Sequence, residues 1–560
     1  MAPKEFSKRI VGLPARLLMS LAILVSLSTV GIATAQDDVL RVGVTSFQGE
    51  VFDPTLVPIT AAYQFLIFDS LVDLNSQGTE LDPGRSLATS WESSDDNRVW
   101  TFHLREGVEF WDGEAVTAED VKFSILRYWR EEARASNISS IEEPLGGDAE
   151  ADERVEIIDD HTIRFHLTEP IFYWPELLSP FNSSAALVLP KHWIEEHGED
   201  AFVTNPMGSG PYRLVESVAG SMQVFEAVPD HPFRAPRYER IEFMQVSEES
   251  TRLAMLQTGE LDLANMSLER LPALESNDLE VVTKVSGTLW TVLFVEAYQD
   301  PVLGKRSVRE AIMMAIDKET LNQAFFNGVA EPVNDGGNIA QIFDPDNRVT
   351  RAPVPYDPER AREIVEAEVP DDYELRIHAV IRGPIRMDHI EAIAAMLSAV
   401  GFNVEISAAA DYSTFRNGWN TGMAGSGLYL KDGRKYLIYY PSSYAHSPEF
   451  GGRHSVIQVP PGPETREVHP DLPDQEVANL RAFDEELEAL RTASSWDEYW
   501  DIYSGIMDRA IDQLAPGSGL FYTPAIFGAR PGVVPEWDVT LGMVPQLWLP
   551  NIVELPPTAE

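Results

Sequence analysis

The side chains best suited to hold a ligand are concentrated in one short segment, residues 428–439. Its aromatic and basic members are Tyr429, Lys431, Arg434, Lys435, Tyr436 and Tyr439. Aromatic faces bury ligand surface, and cations orient polar or negatively charged groups. In a chain of formal net charge −46, such a basic cluster favours a sugar or an anionic ligand. The alternative is the solvated tip of a hairpin, because Asp432-Gly433 is the usual signal for a tight turn.

A second segment, HWIEEH at residues 192–197, carries residue types that can hold zinc. A metalloprotease helix needs its two histidines four positions apart, so that both lie on one face. Here His192 and His197 are five apart, about 140° around a helix. The chain has no cysteine, which excludes disulfides, thiolate metal sites and a cysteine nucleophile. We therefore expect no metal and no cofactor.

Nucleotide and catalytic signatures are also missing from the sequence. It contains no P-loop, no dinucleotide-binding glycine motif after a strand, no nucleophile elbow and no EF-hand loop. An acid/base pair among its 89 acidic residues stays open. The strongly negative charge disfavours nucleic acid as a partner, since phosphates would be repelled.

The elements that must position these residues begin with a strand, turn and helix unit. Trp100, Phe102 and Leu104 alternate with polar residues, which predicts a half-buried strand. Thr117 precedes a helix with Asp120 three positions later, the pattern of an N-terminal cap. Residues 142–156, rich in glycine and acidic residues, are predicted to form a surface loop.

Four stretches occur in a definite order along the chain. They are WESSDDNRVWTFHLREGVEFWDGEAVTAEDVKFSILRY (91–128), GSGPY (208–212), TGELD (258–262) and KRSVREAIMMAID (305–317). Together they resemble the bacterial extracellular solute-binding proteins of family 5, the peptide/nickel type. The resemblance extends from about residue 39 to residue 410.

The resemblance implies an α/β fold of the periplasmic-binding-protein type, cluster C. It has two main lobes joined by a two-strand hinge, with an inserted small lobe. A chain of 560 residues is also too long for one growing core, which favours several lobes. The predicted division is a signal peptide at 1–35, a main lobe of 36–74, 205–285 and 515–560, a small lobe at 75–204, and a second ligand-clamping lobe at 286–514.

The resemblance also suggests where ligand contacts lie. In such proteins the loop after the first strand faces the ligand, and Trp290 on a crossing strand is either a stacking face or hinge core. Arg382 matches the region of an arginine that could pair with a ligand carboxylate. The aspartate that receives a peptide amine in the family has no obvious counterpart here. The predicted ligand-binding residues are Thr45, Ser46, Phe47, Trp290, Arg382, Asp411, Trp419, Tyr429, Lys431, Arg434 and Tyr436.

The N-terminus has the pattern of an export signal. Four basic residues precede an apolar run at 17–30, and Ala33-Thr34-Ala35 is a typical cleavage site. Cleavage would leave Gln36 as the first residue; an uncleaved membrane anchor is the alternative. Without a cysteine the chain is not expected to be a lipoprotein. We therefore expect a periplasmic or secreted protein.

These observations predict the substrate-binding component of an ABC importer and not an enzyme. It would capture a peptide-like or oligosaccharide-like solute between its lobes, as a monomer, and deliver it to a membrane permease. Two alternatives stay open. One is an exported hydrolase on an unrelated fold, and the other is a trap-fold receptor or chaperone that signals to a partner.

Overall fold

A computed structural model describes most of the chain. It covers residues 39–47, 50–57, 63–75, 80–130, 132–133, 139–142, 144–180, 187–294, 302–303, 305–332, 354–380, 387–409, 436–442, 489, 493–509, 519–533 and 552–554. In several of these stretches, including 283–294 and 436–442, the backbone alone is described. All of these residues belong to the unit Val39–Glu560.

The secondary structure alternates between strands and short helices. The strands are β1 Val39–Val44, β2 Ala88–Ser93, β3 Val99–Leu104, β4 Val155–Asp159, β5 Thr162–His166, β6 Tyr212–Val218, β7 Met222–Ala227, β8 Arg240–Gln245, β9 Leu263–Met266, β10 Glu280–Phe294, β11 Glu331–Pro332, β12 Glu374–Val380, β13 Asn403–Ala409, β14 Tyr436–Ser442 and β15 Gly519–Ala529. The α-helices are α1 Gln64–Ile67, α2 Ala118–Leu126, α3 Ser139–Glu142, α4 Asp148–Arg154, α5 Trp174–Leu177, α6 Lys191–His197, α7 Glu199–Thr204, α8 Glu249–Thr258, α9 Leu271–Glu275, α10 Arg306–Ala315, α11 Lys318–Phe326, α12 Pro358–Glu368, α13 Met387–Ala399 and α14 Trp496–Arg509.

Most strands form one large mixed sheet, in the order β13-β12-β14-β10-β15-β9-β1-β8-β7-β6. In one half, β1 is parallel to both β8 and β9. In the other half, β12 is parallel to both β13 and β14. Helix α13 lies between the parallel strands β12 and β13 in the sequence, so the three form a β–α–β unit.

Two long antiparallel strands, β10 and β15, join the two halves of the sheet. β15 pairs with β9 of the first half, and β10 pairs with β14 of the second. Their register shifts between Val282 and Val285, between Val285 and Thr288, and between Trp290 and Thr291. Such irregularities bend and twist a strand pair more than a regular ladder does. The connection between the halves is therefore a bent two-strand crossing.

A second sheet is inserted between β1 and β6. It has four antiparallel strands in the order β2-β3-β5-β4. Trp100, Phe102 and Leu104 of β3 are all buried, as their alternation predicted. Helix α2 begins with the predicted capping box, in which the Thr117 amide donates to Asp120 Oδ2 at 3.0 Å.

The predicted surface loop at 142–156 is wrong. Helix α4 and the start of β4 occupy most of it. Ala151 is buried, and Arg154 Nη2 lies 2.7 Å from Glu150 Oε2 one turn earlier. Ala, Glu and Arg favour a helix, and this pair adds a further small stabilisation. A loop assignment based on glycine and charge alone overlooked both effects.

Large apolar cores lie beneath these sheets. One is formed by the inserted sheet with α2 and includes Tyr499 and Trp500 of α14. A second lies around β1, β7 and β8, and a third around α10, α13, β12 and the start of β13. The lobe boundaries drawn from the sequence stay predictions. Within the described residues, no helix combines the length and apolar character needed to cross a bilayer.

Candidate functional site

The candidate site lies where two groups of parallel strands point their carboxyl ends at each other. β9 ends where Met266 pairs with Ile526 of β15, and the neighbour of Ile526 pairs with Val285 of β10. From the other half, β14 ends where Ser442 pairs with Leu289 of β10. At about 3.3 Å per residue, these ends are separated by roughly 15 Å of strand. Crevices outside the carboxyl ends of parallel strands are where open α/β sheets bind ligands.

The loop after β1 lies at this edge, and its backbone is held on both sides. The Phe47 amide donates to Gln245 Oε1 at 3.3 Å, and the Phe47 carbonyl accepts from the Tyr63 hydroxyl at 3.4 Å. Ser247 Oγ donates to the Thr45 carbonyl at 3.3 Å. A loop tied at these points presents Thr45 and the following serine in a defined geometry.

The three predicted residues of this loop have different surroundings. Thr45 and Ser46 are exposed, whereas Phe47 is 3% exposed and packs in the core around β1. The two hydroxyls are therefore available to a ligand. The Phe47 ring serves as the anchor of the loop and does not offer a face to a ligand in this structure.

Tyr63, which the sequence did not single out, is built into the same core. Its ring meets Phe52 edge-on, with centroids 5.5 Å apart, and stacks near Phe225 at 6.4 Å. Desolvation by burial, together with the nearby charge of Glu50, raises the pKa of its hydroxyl. The hydroxyl therefore stays a neutral hydrogen-bond donor toward the loop.

In the other half, two of the predicted residues lie on strands and not in the loops that follow them. Trp290 lies on β10, where its register partners are Phe521 on β15 and Pro441 on β14. Tyr436 begins β14 and pairs with Arg376 of β12. The predicted residues that lie outside the described part of the chain are Arg382, Asp411, Trp419, Tyr429, Lys431 and Arg434.

The tight hairpin predicted for residues 428–439 is wrong over its second strand. Residues 437–439 pair with β10 on one edge and with β12 on the other. Both edges of that stretch of β14 are therefore occupied, and neither is open to residues 428–430. The Asp-Gly turn signal is local, whereas β14 is recruited by strands far away in the sequence.

A buried ionic network lies behind the first half of the site. Arg234 Nη1 is 3.0 Å from Asp69 Oδ1, and Arg234 Nη2 is 2.6 Å from Glu554 Oε1. His231 Nε2 lies 3.2 Å from Asp69 Oδ2, and Arg85 Nη2 lies 3.1 Å from Glu554 Oε2. These pairs tie together the segment after α1, the chain before β2, the chain before β8 and the C-terminal region.

The network shifts the pKa values of its acids in opposite directions. Desolvation raises the pKa of Asp69, but the attraction and hydrogen bonds of His231 and Arg234 outweigh it, so the pKa lies below its usual value. The pKa of Glu554 is lowered against desolvation in the same way, mainly by Arg234 and Arg85. For Asp73, desolvation is the stronger effect and raises the pKa.

A second ionic cluster fastens the chain after β1 to the insertion. Arg127 Nη2 lies 2.6 Å from Asp53 Oδ2 and 2.8 Å from Glu199 Oε2. The hydrogen bond from Arg127 is the main reason that the pKa of Glu199 falls to about 2. The insertion is thus joined to the first half of the large sheet by charge as well as by packing.

The GSGPY turn packs directly against the backbone of α1. A Cβ on Gly208 would lie 1.9 Å from the carbonyl oxygen of Ile67, and one on Gly210 would lie 2.4 Å from that of Leu66. The Gly210 amide donates to the Ile67 carbonyl at 2.9 Å. Glycine is therefore required at both positions by close backbone approach.

Both histidines of the HWIEEH helix, α6, contact other side chains. His192 Nε2 lies 2.8 Å from Asp112 Oδ2, and the His197 ring stacks on Trp193 with centroids 4.4 Å apart. Among the described residues, no group of three or more His, Asp or Glu side chains is arranged to hold a metal ion.

The positioning residues of the site were missed because their partners are distant. Gln245 and Phe47 are separated by 198 positions, and Arg234 and Glu554 by 320. The available signal for Gln245 was a polar residue at the carboxyl end of an apolar strand. For Tyr63, nothing in the local pattern indicated its role.

Comparisons with known proteins agree with this architecture. The family model described as "Bacterial extracellular solute-binding proteins, family 5 Middle" matches residues 82–446. The probable D,D-dipeptide-binding periplasmic protein DdpA of Escherichia coli is 28% identical over 271 residues, 47% of this chain and 49% of that protein. The glutathione-binding protein GsiB of Pectobacterium atrosepticum is 27% identical over 326 residues, 58% of this chain and 60% of that protein. The chain thus matches about half to three fifths of the length of these relatives.

A solved structure resembles the fold over nearly the whole chain. It is the periplasmic binding protein DppA of Helicobacter pylori in complex with the peptide STSA, with a TM-score of 0.65 and 21% identity. The likeness covers 92% of this chain and 98% of that one. The fold class predicted from the sequence, two halves joined by two strands with an inserted sheet, is confirmed.

Proposed function

Because the chain belongs to the bacterial extracellular solute-binding proteins of family 5, we propose that it captures a solute between the two halves of its large sheet. The mechanism is non-covalent. A ligand that touches both halves binds the closed form more tightly than the open form and shifts the population toward closure. The protein then presents the solute to the permease of an ABC importer, and no chemical step is involved.

The observation that carries this proposal is the convergence of strand ends on the crossing. The carboxyl ends of β9 and β14 face each other across β10, and the loop after β1 presents two hydroxyls at the same edge. The irregular register of β10 and β15 supports bending at this point. A ligand held here would contact both halves at once.

The ligand class that we propose is a short peptide or a peptide-like compound. DdpA, GsiB and the DppA complex are named for a dipeptide, for glutathione and for a peptide. Thr45 and Ser46 would bond the ligand backbone, and Arg382 would pair with a carboxylate. Trp290, Asp411 and the other predicted residues stay proposals. An oligosaccharide held by residues 428–439 is the second candidate.

We also propose that residues 1–35 direct export and are removed, which gives a periplasmic or secreted monomer that begins at Gln36. Intact mass of the protein from the culture or the periplasm tests this directly. A mass that retains residues 1–35 would contradict cleavage.

A thermal-shift screen of the exported protein against di- to pentapeptides, oligosaccharides, amines and chelated nickel tests the function. A ligand at a hundred times its dissociation constant stabilises the native state by about 2.7 kcal/mol. We expect a shift with peptides, and mass spectrometry should recover the peptide intact. Turnover would support the hydrolase alternative. Peptide binding without uptake by permease-containing vesicles would support the receptor alternative.

Two variants assign the site within the same screen. Thr45→Ala combined with Ser46→Ala should weaken peptide binding without lowering the melting temperature of the free protein, since both side chains are exposed. Lys431→Glu combined with Arg434→Glu should abolish binding if the ligand is a sugar or an anion held by that segment. Unchanged affinity in the second pair would exclude the segment as a binding site.

A further inference from the structure

Gln223 on β7 carries a buried amide without hydrogen bonds. The residue is 0% exposed, and neither the oxygen nor the nitrogen of its side chain has a hydrogen-bond partner among the described residues. Leaving a buried amide unbonded is costly, and such groups are rare in folded proteins. Gln64 shows the usual arrangement: it is equally buried, and its Nε2 donates to the Phe52 carbonyl at 3.2 Å. Gln223 therefore marks a position where another state of the protein can supply a partner.

The loop after β1 lies close to the face of β7 that carries Gln223. Alternation along the strand places Gln223 and Phe225 on the same face. On that face, the ring of Tyr63 lies 6.4 Å from that of Phe225. The same tyrosine contacts both ends of the loop, through the ring of Phe52 at 5.5 Å and the carbonyl of Phe47 at 3.4 Å. The buried amide is therefore a neighbour of this loop.

Between its two buried phenylalanines, the loop is fastened to the turn before β7. The Glu50 carboxylate accepts a hydrogen bond from the Gly220 amide at 2.5 Å. The same turn meets the carboxyl end of β8, where the Gln245 amide donates to the Ser221 carbonyl at 2.8 Å. Glu50 thus lies at the edge of the sheet that forms the candidate site, and also near the start of the strand that carries Gln223.

Glu50 adopts a backbone conformation that is unfavourable for its residue type. Its φ is 52°, in the left-handed region. The other described residues outside glycine with positive φ are Asn97, Asp278 and Asn327, whose short polar side chains tolerate this region. A glutamate is strained there, and the strain has to be held by other contacts. Two costs, this strain and the unbonded amide of Gln223, thus accompany the same position of the loop.

The Glu50 carboxylate is also available to a cation. The residue is only partly buried, and no lysine, arginine or histidine in the described part of the chain forms an ion pair with it. Thr45 and Ser46, whose exposed hydroxyls we propose to bond the peptide backbone, belong to the same loop. A peptide carries a positive charge at its amino end, and a carboxylate binds such a group by a charge-assisted hydrogen bond.

We propose that Glu50 receives the amino group of a bound peptide, and that Gln223 stabilises the loop in the position that this pairing requires. This role rests on the proposed function and adds a specificity determinant to it. Pairing with the ligand draws the carboxylate away from the Gly220 amide and lets the Glu50 backbone leave the left-handed region. The rotation turns an adjoining peptide unit toward Gln223, whose amide oxygen and nitrogen complement a peptide N–H and carbonyl.

The two residues contribute to binding in different ways. A ligand shifts a conformational equilibrium only if it binds one form more tightly than the other. Glu50 provides that difference, because its charge is directed at the ligand only in the rotated form. Gln223 acts as a positioning residue, because its amide gains a hydrogen bond in that form alone. Peptides with a free amino end are therefore favoured over peptides with a blocked one.

A lysine-free library of di- to pentapeptides, compared before and after N-acetylation, tests the role of Glu50 in the exported protein. For the unaltered protein, acetylation should raise the library concentration needed for a given thermal shift about tenfold. Glu50→Gln can still accept from the Gly220 amide, but it should lose this preference and respond to both libraries alike. Glu216→Gln removes an exposed negative charge from β6 and should keep the preference.

Gln223→Met tests the buried amide, because methionine keeps the length of the side chain without its polar groups. The free protein should gain about 1–3 °C in melting temperature, since an unbonded buried amide is removed. Binding should nevertheless weaken, with about tenfold more of the unacetylated library needed for the same thermal shift. Gln64→Met, which deletes a buried amide that is bonded, should lower the melting temperature instead.

Each result bears on one residue. A preference for the free amino end that survives in Glu50→Gln, or that the unaltered protein lacks, would overturn the role of Glu50. A lower melting temperature of Gln223→Met would show that its amide is satisfied in the free protein, and unchanged binding would show that the bound form does not use it; either would overturn the role of Gln223. Failure of the unaltered protein to bind either library would overturn the proposed function, and the roles of both residues with it.

Discussion

Glu554→Gln is the substitution that most directly tests the ionic network behind the candidate site. The side chain of Glu554 is 1% exposed and lies within 3.1 Å of Arg85 and 2.6 Å of Arg234. Glutamine keeps the shape of the side chain but removes its charge. Among the described residues, Asp69 and Asp73 would then be the remaining acidic neighbours of the two buried guanidinium groups, and the pKa of Asp73 is already raised by desolvation.

The expected loss in the free energy of unfolding follows from the burial of the ion pairs that Glu554 makes with Arg85 and Arg234. Removing one partner of a buried ion pair leaves an uncompensated charge and costs about 3–5 kcal/mol. Because the glutamine oxygen can still accept from Arg234, we expect a loss of about 3 kcal/mol, at the lower end of that range. The C-terminal segment, which Glu554 fastens to the rest of the protein, should be released first.

Guanidinium unfolding followed by circular dichroism, with Glu226→Gln as the matched control, measures this loss. Glu226 pairs with Arg240 at 3.3 Å, but its side chain is 55% exposed. An exposed pair is worth about 0–1 kcal/mol. A midpoint for Glu554→Gln equal to that of Glu226→Gln would refute the argument that this network stabilises the fold.

The pH dependence provides an independent check on the same network. The pKa values of Asp69 and Glu554 are lowered in the folded protein. Acids with lowered pKa values stabilise the fold above their ordinary pKa, and that stabilisation is lost as the pH falls through the folded-state values. The unaltered protein should therefore lose stability below about pH 4.5. Glu554→Gln should lose less over the same range.

Two further substitutions test the site and its frame. Tyr63→Phe removes the hydroxyl that donates to the Phe47 carbonyl and holds the loop after β1. That hydrogen bond is worth about 1 kcal/mol, so its loss should raise the dissociation constant for the peptide identified by thermal shift about fivefold. Tyr238→Phe, which removes a hydroxyl bonded to the Val533 carbonyl at 2.9 Å, should change stability similarly and affinity not at all. Equal affinities of the two variants would contradict the positioning role. Gly208→Ala should lower the melting temperature strongly. The control Gly505→Ala should be neutral or slightly stabilising, because no atom lies within 4 Å of its new Cβ. An unchanged melting temperature for Gly208→Ala would contradict the close backbone approach.

Local patterns were sufficient to predict many elements of the fold. The alternation of Trp100, Phe102 and Leu104 correctly indicated β3, and Thr117 with Asp120 correctly indicated the start of α2. These features depend on residues within a few positions of each other. Side-chain periodicity and the capping of free amides both depend on short spacings along the chain, so they can be predicted from the sequence.

Local patterns failed where distant chain segments compete for the same backbone. The Asp432-Gly433 signal suggested a hairpin, but the following residues pair with β10 and β12. Residues 142–156 looked like a loop until burial of Ala151 and the Glu150 to Arg154 pair favoured a helix. Strands far away in the sequence decided the pairing of β14. Helix α4, in contrast, is favoured by a pair within the segment itself and by the burial of Ala151.

The sequence by itself determined the family resemblance, the position of β3, the start of α2 and the lack of cysteine. Only the tertiary structure decided which of the loop residues face solvent, with Thr45 and Ser46 exposed and Phe47 buried. It also decided that the ends of β9 and β14 converge on the crossing strands. The physical reason is that exposure, strand register and buried ion pairs depend on partners that are often hundreds of positions away. A local sequence pattern does not identify such partners.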